Sequence, residues 1–310
     1  MQSWTLTDLG LLVGVLLIHA LGHFAAMRIC GYRNLQMFFI PFFGAAVTGR
    51  HLAPAGWKKA LVSLMGPIPG ISVGVGLTIA AILTWDLRFI PLAAMLLLLN
   101  GLNLFPLMPL DGGWFFHAVL FGRNRWSEAV FRVMTGLLMV AGALALGTKI
   151  MVIVGIFIVL SCVSAWHAAV VAEKLRGEIP PPLAGAAAIP DGAALTIIGE
   201  LRTAMPKGKS AAELAELTLQ VFDKIHARPP GLFSSFALTG VYTVSLGAAL
   251  LFGALAIGLK TAPEEMRAAF VGGMMQAEEA QRVSAVSARG PDVEAEEAPV
   301  LATVTARPER

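Results

Sequence analysis

Charge is scarce in this chain. Only 14% of its 310 residues are Asp, Glu, Lys or Arg, where a soluble domain carries about a quarter, and that shortage excludes an ordinary water-soluble fold. Glutamate is absent until Glu128, and the only aspartates ahead of it are Asp8, Asp86 and Asp111. Cysteine is limited to Cys30 and Cys162, at or inside apolar segments, which is too little for a disulfide framework. The net charge of +3 is small and scattered, so a nucleic-acid partner is not expected. No basic segment precedes the first apolar run, which is therefore read as a retained helix and not a cleaved signal. What is present is apolar side chain: 56% hydrophobic, with a mean hydropathy of +0.73. The chain is expected to be an all-α polytopic membrane protein whose surroundings are a lipid bilayer.

Six transmembrane helices are expected, near 9–27, 60–85, 89–104, 129–146, 150–171 and 232–259. Between the first two lies Gln36 to Gly49, apolar but too short to span and interrupted by Pro41, Gly44 and Gly49. It reads as a re-entrant membrane hairpin, a geometry tolerated only where protein or a wet cavity satisfies the backbone. An interfacial loop with aromatic anchors is the alternative. Gly66 and Pro67 should break the second span near its start, and Pro106, Pro109, Gly112 and Gly113 forbid the third from continuing as helix. The chain should unwind there, beside Asp111.

Residues 1–172 then form a membrane-embedded core, 173–231 a soluble cytoplasmic connector, 232–260 an additional transmembrane helix and 261–310 an acidic, disordered tail. Within the connector, Ala184 to Gly199 is low in complexity, while Ser210 to Ile225 has a helical pattern. Arg28, Arg33, Arg50, Lys58 and Lys59 lie on one side of the spans with Arg123 and Arg125; the opposite turns carry only Arg88 and Lys149. By the positive-inside rule the amino terminus is outside.

His19 and His23 stand one turn apart on one face of the first helix, the spacing two imidazoles need to share a metal ion. Burying two imidazoles in so apolar a stretch needs a common reason, since each is costly without a partner. A pair of satisfied packing histidines is the plain alternative. A catalytic zinc takes three protein ligands and keeps one position for water. Asp111, the single acidic residue of the first 127 that falls in an unwound membrane segment, is the candidate for the third; an ordinary Asp-Gly turn is the alternative. On this reading the chain holds one Zn2+.

The order His19-xxx-His23, then Asn103-xx-Pro106-xxx-Leu110-Asp111-Gly112, resembles the site-2 protease family of intramembrane zinc metalloproteases. The resemblance covers about residues 5 to 172. It implies that His19, His23 and Asp111 ligate zinc, that Asn103 helps hold the substrate or the developing oxyanion, and that the chain acts on single-span membrane proteins within their helices. A substrate helix must unwind to be cut, and the hairpin around Phe42, Phe43, Gly44 and Ala45 is expected to hold the unwound strand by β-addition. The site is expected toward the cytoplasmic face of a bacterial or archaeal-type cell membrane. One departure is decisive for rate. The family motif is His-Glu-x-x-His, with the glutamate as general base, and this chain has Ala20 there. A scaffold that binds zinc and substrate but turns over little is therefore expected. Two other classes stay open: a non-catalytic binder of membrane proteins, and a metal-ion or proton transporter using the same three side chains.

Overall fold

The computed structural model describes residues 5–40, 44–84, 86–182, 188–205 and 209–262, with Gly272, Gly273, Gln276, Ala280, Gln281 and Ser284 beyond them. Residues 1–257 form one compact unit and 258–310 a second, and the expected acidic tail lies almost wholly outside the described residues. Helix α1 (Leu6–Ile29) begins at a reciprocal cap: Thr5 Oγ1 accepts from the Asp8 amide at 3.1 Å and Asp8 Oδ2 accepts from the Thr5 amide at 3.0 Å. It ends where Gly31 takes φ +86°, a conformation glycine alone adopts without strain. The chain then forms an antiparallel hairpin, β1 (Arg33–Ile40) and β2 (Gly44–Arg50), closed at its base by the Arg33–Arg50 pair.

Helix α2 (Gly56–Met65) runs into α3 (Pro67–Thr84) across the expected break at Gly66. Asp86 turns the chain by clasping Arg88, with Arg88 Nη2 2.6 Å from Asp86 Oδ2. That guanidinium holds the Asp86 carboxyl down at about 2. Helix α4 (Ile90–Asn103) follows, then seven non-helical residues, then α5 (Asp111–Val119). Two long helices, α6 (Arg125–Ala145) and α7 (Lys149–Lys174), pack as a hairpin with leucines, isoleucines and phenylalanines such as Leu137, Ile153, Phe157 and Leu160 facing outward.

Among the described residues, five helical segments are long and apolar enough to cross a membrane: Leu6–Ile29, Gly56–Thr84, Arg125–Ala145, Lys149–Lys174 and Leu232–Thr261. The fold is that of an all-α membrane protein with one small β-hairpin. The third expected span is a shorter apolar segment, Leu87–Asn103, cut off by the prolines that follow it.

After α7 come α8 (Asp191–Ala204) and α9 (Ala211–Ile225), then α10 (Leu232–Thr261). The alanine- and glycine-rich composition that reads as low complexity hides α8, because two fully buried side chains, Ile197 and Leu201, suffice to fix it. Helix α9 starts where expected, at a capping box between Ser210 and Glu213. Both helices share a core with the end of α7, built from Val171, Leu175, Ile197, Leu201, Val221 and Phe222. Polar contacts add to it: Asp223 accepts from the Ala53 amide at 2.8 Å and pairs with Lys59 at 3.2 Å, and Lys174 meets Glu200 at 2.6 Å.

Candidate metal centre

The two α1 histidines and the first residue of α5 meet. His19 Nε2 lies 3.1 Å from His23 Nε2 and 3.2 Å from Asp111 Oδ2, and His23 Nε2 lies 3.2 Å from Asp111 Oδ1. Donor atoms bound about 2.0–2.1 Å from one tetrahedral ion are roughly 3.3 Å from each other. The two carboxylate contacts are made by different oxygens, and one donor atom from each residue can be chosen so that all three lie within 4.8 Å of one another, close enough to share an ion. The cluster is sheltered, with side-chain exposures of 10%, 15% and 15% for His19, His23 and Asp111.

The outer ring nitrogens decide what the inner ones present. Asn100 Nδ2 donates to the Leu96 carbonyl at 2.8 Å, which turns its Oδ1 toward His19 Nδ1, 2.9 Å away. Meanwhile His23 Nδ1 faces the Val62 carbonyl at 2.9 Å. Both Nδ1 atoms must therefore be N–H donors, and in the neutral rings both Nε2 atoms point lone pairs inward at a carboxylate. Consistently, Asp111 Oδ2 is buried with no hydrogen-bond donor among the described residues. A proton can bridge one pair at a time, whereas a metal ion satisfies all three at once. The donor set of two imidazoles and one carboxylate suits zinc or a neighbouring divalent transition metal.

Close packing makes this convergence possible. A Cβ on Gly66 would stand 2.2 Å from His23 Nε2, so the α2–α3 break leaves room for the ring only because that residue is glycine. Asp111 is delivered by the non-helical segment after α4, and its carboxylate sits in the first turn of α5, where the helix dipole favours an anion. The start of that segment is tied from α10: Tyr242 Oη donates to the Leu104 carbonyl at 2.7 Å while its ring stacks on Phe115 at 5.0 Å. No spacing motif marks Tyr242.

Of the other expected site residues, Asn103 is half-buried and its Nδ2 donates to the Leu99 carbonyl at 3.1 Å, one turn back along α4. No hydrogen bond from Asn103 to the trio is present among the described residues. Asn100, three residues earlier, is the amide that touches a histidine. The signal for it was an amide directly after the four leucines Leu96 to Leu99. Ala20 is completely buried. Gly44 and Ala45 open β2, paired with Ile40 and Phe39, while Phe42 and Phe43 lie outside the described residues.

Glu128, the first glutamate in the chain, is engaged away from the trio. It is 3% exposed, and its carboxylate is met by His117 at 3.3 Å, Arg132 at 3.1 Å and Lys224. His117 is thus a member of a buried ionic cluster joining α5, α6 and α9. Comparison with protein-family models, curated proteins and solved structures gives no match.

Proposed function

We propose that this chain is a membrane-embedded zinc-binding protein built on the site-2 protease plan, holding one zinc through His19, His23 and Asp111 and taking a single-span membrane protein as its substrate. The observation that carries the proposal is the inward convergence of two imidazole lone pairs and a carboxylate, with one donor atom from each within 4.8 Å of the others and both Nδ1 atoms already committed elsewhere. Bound there, zinc would act as a Lewis acid toward a peptide carbonyl and lower the pKa of a water. The chain's own contribution is positional. α1 and α5 hold the three ligands, the Gly66 break admits the His23 ring, and the surrounding apolar helices exclude bulk water. Ala20 offers no group to take a proton, so peptide hydrolysis by this chain is slow or absent.

Metal analysis tests the proposal directly. Protein extracted in mild detergent should carry about one zinc per chain, and a zinc-free preparation should take up one equivalent. A chain that neither retains nor binds zinc sinks the metal centre and the protease plan together.

Orientation belongs to the same proposal. The cationic residues Arg28, Arg33, Arg50 and Arg123 are exposed, and by the positive-inside rule their excess supports a cytoplasmic location for the side that carries them, with the metal site toward it. Cysteines introduced at Arg50 and at Arg228 should react with a membrane-impermeant maleimide only after the membrane is opened. Reaction in intact cells reverses the orientation.

A second reading, a non-catalytic binder of membrane helices, draws support from the complete burial of Ala20. A longer side chain at that position needs space that tight packing does not ordinarily leave.

A further inference from the structure

We propose that Asn100 is a positioning residue of the metal centre, fixing which nitrogen of His19 faces His23 and Asp111. The inference rests on the metal-binding reading above and assigns the support of one ligand within it. Asn100 is completely buried on α4, directly after four leucines, where an amide is costly unless all of its polar atoms are used. They are used in a directed way. The Nδ2 group donates to the Leu96 carbonyl at 2.8 Å, so the amide cannot turn over without losing that bond, and Oδ1 is left to accept from His19 Nδ1 at 2.9 Å.

A neutral imidazole with hydrogen on Nδ1 has its lone pair on Nε2, the atom 3.1 Å from His23 and 3.2 Å from Asp111. Asn100 therefore selects the ligating tautomer and holds the ring plane. The backbone is shaped around it as well: a Cβ on Gly70 would lie 2.2 Å from Asn100 Nδ2, so α3 comes as close as it does only with glycine at that position. His23 receives the same service from a fixed group, the Val62 carbonyl. For His19 a side chain does it, and a side chain can be changed without moving the backbone. An outer partner of this kind is worth roughly 10–100-fold in metal affinity.

A packing role alone would make Asn100 a stabiliser of α1 against α4 and nothing more. Cobalt(II) separates the two roles, because its visible absorption reports the ligand field. In the full-length protein, metal-free in detergent, Asn100→Leu keeps volume but removes the acceptor. It should bind cobalt about 10–100-fold more weakly than the parent and shift the absorption bands. Asn100→Asp keeps an acceptor for His19 and should recover affinity to within a few-fold, even if it melts earlier. Gly70→Ala, which pushes on the amide from α3, should reproduce the weakening should Asn100→Leu not fold. Parent-like affinity and spectrum in Asn100→Leu, or in Gly70→Ala if that is the variant that folds, overturns the positioning role. So does a failure of Asn100→Asp to bind better than Asn100→Leu. A parent chain that binds neither cobalt nor zinc overturns the metal reading beneath it instead.

Discussion

Replacing Ala20 by glutamate is expected to switch on proteolysis of membrane helices. Position 20 follows one ligand directly and lies less than a turn from the other, so a carboxylate there can reach a water on the metal face that His19, His23 and Asp111 leave free. A positioned general base contributes roughly 10²- to 10⁴-fold, and the cleavage rate should rise over the parent by that amount. Because Ala20 is completely buried, the new side chain must displace neighbours, and its charge is stabilised mainly by a bound cation. The zinc-free variant should accordingly melt below the parent and recover much of the loss when zinc is added. Cleavage of single-span test substrates should be blocked by phenanthroline and absent from an Ala20→Glu, His23→Ala double variant. A folded, zinc-loaded Ala20→Glu protein that cuts none of a broad substrate panel removes the enzyme reading and leaves the binder.

Asp111→Ala should cost the second-largest effect, this time in affinity. Structural zinc sites with four protein ligands bind by roughly 10–16 kcal/mol, so one protein ligand is worth about 3 kcal/mol, on the order of 10²-fold. The fold should survive, since among the described residues the carboxylate's polar contacts are with the two histidines, while α5 remains anchored through Phe115, fully buried and stacked on Tyr242. Melting without metal should thus be close to the parent, whereas the stabilisation that added zinc confers on the parent should disappear. Titration showing parent-like zinc affinity in Asp111→Ala would remove this residue from the ligand set.

The parts of this site that were legible in the sequence are those whose information is local. Two histidines one turn apart, an Asp-Gly after a proline-broken helix and an alanine in place of a glutamate can all be read from short windows, and the structure brings the three candidate ligands together. Helix boundaries set by capping residues and prolines were equally readable, as at Ser210 and at the end of α4. The supporting shell was not, because each of its bonds joins residues far apart in the chain. Asn100 is 81 positions from His19, and Lys224 is 96 positions from Glu128. No periodicity encodes such pairs. Asn103 belongs to a linear pattern as well, and its side-chain hydrogen bond goes to its own helix. Helix α8 escaped for a compositional reason, since alanine and glycine hide two buried anchors as well as they mimic a linker.

Chain order adds a temporal side to the tie between Tyr242 and Leu104. The carbonyl that begins the Asp111 segment finds its partner 138 residues later, on α10. Glu128 likewise waits for Lys224 before its charge is fully matched. During synthesis, then, the two histidines are in place early, but the segment bearing the third ligand stays incompletely tethered until α10 has been inserted. The trio of His19, His23 and Asp111 therefore gains the last of this support only once α10 has packed beside Leu104.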